Sequence, residues 1–126
     1  MLFKPDMLPD GISIARGQVH DDGRISPILR LNVSPDMTPG VLEFEFWNPD
    51  CFLEMVDNSI LVRLVDQTNY VENIQLNQLV EISVSLIGPI PTEEAIGFQV
   101  FKYLDRSKHD DRQRALKLVR CEWHQA

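Results

Sequence analysis

Val41-Leu-Glu-Phe-Glu-Phe-Trp47 alternates apolar and acidic side chains without a break. Successive side chains of a strand point to opposite faces, so Leu42, Phe44 and Phe46 share one face and Glu43 and Glu45 share the other. Two further stretches keep the same beat, Ile60-Leu-Val-Arg-Leu-Val65 and Val80-Glu-Ile-Ser-Val-Ser-Leu-Ile87. All three are rich in β-branched or aromatic residues and are bounded by turn formers. Strands of this kind need a sheet with at least one buried face.

Working outward, Ile12 to Val19 reads as a first strand, with Ile12 and Ile14 on one face. His20-Asp-Asp-Gly23 is a turn, because Asp-Gly supplies the positive φ angles that a tight reversal needs. Ile25 to Val33 returns as a second strand, with Leu29, Leu31 and Val33 facing one way and Ile28, Arg30 and Asn32 the other. Pro27 stands near its start, where a missing ladder donor costs least. Residues 34–40 form a loop. Asn48-Pro49-Asp50 suits a helix start, and Phe52, Met55 and Val56 at helical spacing predict a short helix over 49–57. Tyr70 to Leu76 suits another strand, and Gly88-Pro-Ile-Pro91 breaks the one before it.

The last third supports two descriptions. Ile96 to Leu104 alternates, with Ile96, Phe98, Val100 and Leu104 on one face. In 112–123, Ala115, Leu118, Val119 and Glu122 fit a helical stripe, whereas Ala115, Lys117, Val119, Cys121 and Trp123 fit an extended chain. The favoured description is a strand closing a hairpin with 96–104. The expected fold is mainly β: one antiparallel domain over 1–126, sandwich or barrel, with one short helix. The alternative is an α+β domain whose C-terminal helix packs on the sheet. Residues 1–11 read as an irregular lead-in and 102–126 as a basic C-terminal segment.

A chain of 126 residues can bury a core unaided, and 44% hydrophobic with 25% charged residues is a globular composition rather than a disordered one. No apolar stretch approaches the roughly 20 residues of a membrane helix, and no apolar export region follows Met1. The expectation is a soluble cytoplasmic protein with Cys51 and Cys121 reduced and packed as small apolar groups.

The net charge of −7 is unevenly placed. Residues 1–101 carry five basic against fifteen acidic side chains, a net −10, and residues 102–126 carry seven against four, a net +3. An acidic body repels phosphate backbones and favours cationic partners, which disfavours nucleic acid. Tail and body can also neutralise one another in the fold.

The expected function is a non-enzymatic interaction module of inhibitor, immunity or adaptor type that binds a basic protein. Its contacts would be Glu43, Glu45, Trp47, Asp50 and Glu54, the carboxylates steering and the indole anchoring. A homodimer through exposed sheet edges is compatible but nothing requires it. No cofactor is implied by this reading. The motifs of enzymes are missing from the sequence: there is no Gly-x-Ser-x-Gly elbow, no Gly-x-Gly and no phosphate loop.

Two alternatives rest on other residues. The tripeptide His-Asp-Asp occurs at 20–22 and 109–111, both in connections between strands. If the two loops converged, His20, Asp22, His109 and Asp111 could hold a divalent metal and activate water for hydrolysis. Separately, Phe98, Phe101, Tyr103 and Trp123 lie among the basic residues of the tail, as stacking platforms for a single strand on a small barrel would. The ordinary roles of these residues are turn formation and core packing.

Overall fold

The computed structural model describes residues 7–48, 57–101 and 116–126. Eight strands form two antiparallel sheets: β1 (Ile12–Arg16), β2 (Ile28–Val33), β3 (Gly40–Trp47), β4 (Asp57–Leu64), β5 (Gln67–Gln75), β6 (Leu79–Leu86), β7 (Ile96–Val100) and β8 (Lys117–Gln125). One sheet runs β1-β2-β7-β4-β5 and the other β6-β3-β8. The mainly β expectation holds, and of its two forms the structure is a sandwich, because the sheets do not close into a barrel. The two sheets share one apolar core.

Phe44 and Phe46 of β3 meet Phe98 of β7 in that core. The Phe44 and Phe98 rings meet edge to face at 5.0 Å, and Phe46 stands 5.8 Å from Phe98. Offset and edge contacts of this type add about 0.5–1.5 kcal/mol beyond the burial itself. The middle strand of each sheet thus presses aromatic side chains against the other. The alternation of residues 41–47 is realised in full, with Leu42, Phe44 and Phe46 buried and Val41, Glu43, Glu45 and Trp47 half-buried on the outer face.

The C-terminal segment bears out the favoured strand and corrects its partner. It is a strand, so the α+β alternative is excluded for Lys117–Gln125. It pairs with β3 in the other sheet rather than closing a hairpin with 96–104. A bulge between the Glu45 and Phe46 pairings leaves Val119 as the extra residue on β8. Core-facing positions therefore fall at Leu118, Cys121 and Trp123, spaced three and then two, rather than evenly by two. The extended set expected from sequence had Val119 with Cys121 and Trp123, and the bulge puts Leu118 in its place on the inner face.

The edges of the three-stranded sheet are partly covered. On the β6 side, the Gln67 side chain of β5 donates to the Ser85 carbonyl at 2.6 Å and accepts from its N–H at 3.0 Å. On the β8 side, Ile25 donates to the Leu116 carbonyl and Leu118 to the Gly23 carbonyl. Paired backbone groups make poor templates for another chain, so these contacts do what charge or proline does on other edge strands.

The expected helix over 49–57 lies outside the described residues apart from Asp57, which already belongs to β4. Asn48, expected as its cap, is buried and sends its side-chain amide to the Ile74 carbonyl at 2.8 Å. Among the described residues no helix is long and apolar enough to cross a membrane.

Candidate interaction site

The outer face of the three-stranded sheet is built by register. Across β3, Glu45 stands between Glu81 of β6 and Arg120 of β8, and Glu43 between Ser83 and Glu122. Four carboxylates from three strands therefore share one face. Arg120 sits among three of them: its Nε is 3.3 Å from Glu45 Oε1, and its Nη1 is 3.3 Å from Glu43 Oε2 and 2.9 Å from Glu122 Oε2. Partial desolvation pulls the guanidinium pKa down, but the Glu43 hydrogen bond and the charges of Glu45 and Glu122 outweigh it and raise the value.

The basic segment thus partly neutralises the acidic strand, as the charge distribution allowed. Glu81 is exposed and has no ion pair among the described residues. At the end of the same face Trp47 lies opposite Leu79, which is 47% exposed. A shallow groove of about 520 Å³ runs beside them, lined by Met7, Glu45, Leu79, Val119, Arg120 and Glu122 among others. Of the five contacts expected from sequence, Glu43, Glu45 and Trp47 share this face, and Asp50 and Glu54 lie outside the described residues.

Arg120, Glu81 and Glu122 were missed as parts of the face. Glu81 could have been found as an outward position of its alternating strand, but nothing in the sequence says that β6 and β8 flank β3.

Glu43, Glu122 and His124 also bring one ligand atom each within 4.8 Å of one another, a spacing that a cation could use. Arg120 Nη1 is bound to the same Oε2 atoms of Glu43 and Glu122, so any cation there would compete with a guanidinium already in place.

The first His-Asp-Asp copy forms the tight turn expected of it. Gly23 takes φ +89° and donates to the His20 carbonyl at 2.9 Å. Both oxygens of Asp22 serve Arg24, one accepting its backbone N–H at 3.0 Å and the other facing its Nε at 3.5 Å. His20 is buried. His109 and Asp111 lie outside the described residues.

The aromatics of the tail divide. Phe98 is core, Trp123 is half-buried and donates to the Met37 carbonyl at 3.0 Å, and Phe101 is exposed and meets Tyr70 edge to face at 5.9 Å. Tyr103 lies outside the described residues. Among the described residues the sheets do not close into a barrel, and Phe98 and Trp123 are committed to packing rather than offered as stacking platforms.

Cys121 is buried on the inner face of β8, and burial pushes its thiol pKa up to about 12. A thiol so held is a packing group rather than a nucleophile.

Comparison with protein-family models, with curated proteins and with solved structures finds no match for this chain.

Proposed function

We propose that this sandwich is a non-enzymatic protein-interaction module, of inhibitor, immunity or adaptor type, that receives a basic segment of a partner on its three-stranded face. The observation that carries the reading is the grouping of Glu43, Glu45, Glu81 and Glu122 on one face, with a single guanidinium, Arg120, paired to three of them and Glu81 left over, beside a groove with exposed Leu79 and Met7. Carboxylates at the rim steer a cationic partner, and apolar side chains in the groove supply area to desolvate. Glu43 and Glu45 hold Arg120, so the contact role shifts toward Glu81 and Glu122, with Trp47 and Leu79 as apolar anchors.

The test is capture of partners from source lysate by the tagged chain, at low and high salt, beside the Glu81→Lys variant. Glu81 is exposed, so reversing its charge leaves the core untouched. A basic protein held by the native chain, released by salt and lost by the variant supports the reading. Equal retention by the variant, or retention of nothing at low salt, ends it.

A further inference from the structure

The outer face of the five-stranded sheet carries a basic row of its own. Register places Arg30 of β2 and Arg63 of β4 directly opposite Gly97 of β7, one on each side. Arg16 of β1 continues the row beyond Arg30. Three of the five basic side chains in residues 1–101 therefore fall on one line across the sheet, within a stretch of net charge −10. Neighbouring strands lie about 4.8 Å apart, so two cations face each other across roughly 10 Å with no side chain between them.

Gly97 is what opens the space. It sits in regular register in the middle strand, where a glycine weakens the sheet and marks a place where another group comes close to the backbone. Above it is an open groove of about 440 Å³, with Ile28, Leu61 and Val65 as apolar walls and Arg30 and Arg63 as cationic ones. Ile28 is 48% and Val65 62% exposed. Glu94 at the rim faces Arg30 Nε at 3.9 Å, while Arg30 Nη1 lies 3.3 Å from where a Cβ on residue 97 would stand. The guanidinium thus turns its Nε edge to Glu94 and extends its Nη end over the notch. Arg63 has no ion pair among the described residues.

Backbone strain gathers at the same place. Among the described residues four other than glycine take positive φ, and two are asparagines, which tolerate it. The other two, Val65 at +49° and Glu94 at +49°, both line this groove. Strain of this kind concentrates at ligand sites.

We propose that the Gly97 notch binds a small molecule that carries an oxyanion, phosphate or carboxylate, on an apolar body. The oxyanion bridges the donor forks of Arg30 and Arg63 over the bare backbone. The body lies along Ile28, Leu61 and Val65. The site is on the opposite sheet from the proposed protein contact and does not depend on it.

The test is a backbone amide NMR titration of the full chain with phenyl phosphate, benzoate and inorganic phosphate. Saturable shifts centred on Gly97, Arg30 and Gln99 with an aromatic probe are expected, and weaker ones with inorganic phosphate. Phenyl phosphate against benzoate decides between the two head groups. Arg63→Gln should weaken binding about tenfold, the loss of one charge-assisted contact. Gly97→Val should abolish binding while keeping or raising the melting temperature, since a β-branched residue suits a strand that a glycine weakens. If Gly97→Val fails to fold, Arg63→Gln decides alone, because its side chain is exposed. The proposal is overturned by absence of saturable shifts at Gly97 with all three probes, or by unchanged affinity in Arg63→Gln. Saturation there by an acidic peptide such as polyglutamate alone would also overturn it, and would make the face a protein contact.

Discussion

Arg120 stands directly across from Glu45 in the β3–β8 register, with Nε 3.3 Å from Glu45 Oε1 and Nη1 reaching on to Glu43 and Glu122. One residue of the basic segment thereby links three carboxylates on two strands. The Arg120 side chain is 27% exposed, while Glu43 at 38% and Glu122 at 50% leave the network open to salt.

Arg120→Gln should leave the fold intact and lower stability by about 1 kcal/mol, the scale of a partly exposed ion-pair network. The loss should shrink as salt screens the repulsion among the remaining carboxylates. Urea unfolding at two ionic strengths measures this directly. The same variant leaves the face more negative, so it should bind a basic partner faster at low salt.

Gly40→Ala should be costly, because a Cβ at residue 40 would collide with Trp123 Nε1 and the Met37 carbonyl oxygen, the two ends of one hydrogen bond. Overpacking of a tight site costs about 1–3 kcal/mol. Thermal unfolding should show a clear drop, whereas Gly88→Ala should show a smaller one, since space around Gly88 is open despite its φ of +73°.

Phe98→Ala should destabilise by about 3–5 kcal/mol through loss of the buried ring and the cavity left behind. Phe101→Ala should cost far less, because that ring is 48% exposed and touches only Tyr70 among the described aromatic residues. Equal effects in the two variants would contradict the placement of Phe98 in the core and Phe101 at the surface just beyond β7.

Cys121 gives a pH signature. Its thiol pKa is raised from 9.0 to about 12 by burial, so the unfolded chain releases its proton first as pH rises. Stability from this group is complete below pH 9 and is lost as pH climbs toward 12. In a Cys51→Ser background the native chain should resist thiol reagents until denatured, and Cys121→Ala should flatten the alkaline fall in stability.

Most of the strands were legible because their pattern is local. Leu42, Phe44 and Phe46 point inward in the structure as their alternation required, and the same holds for Leu29, Leu31 and Val33. Residues 112–123 were ambiguous for a definite reason. The bulge at Val119 breaks the period of two, so Leu118 rather than Val119 joins Cys121 and Trp123 on the inner face, and the adjacent apolar pair Leu118-Val119 suited a helical stripe as well as a strand. Charge was legible along the chain but not in space, since nothing local places Arg120 of the basic segment beside Glu45 of the acidic strand.

By itself the sequence determined the β class, the inward set of each regular strand and the tight turn at Gly23. All of these follow from side-chain period and backbone preference within a few residues. Only the tertiary structure decided which strands are neighbours: β8 beside β3 rather than β7, and β7 between β2 and β4. Both candidate sites depend on that choice. The carboxylates around Arg120 and the arginines flanking Gly97 come from strands far apart in the chain, and pairing register, which is set by packing the whole core at once, brings them together.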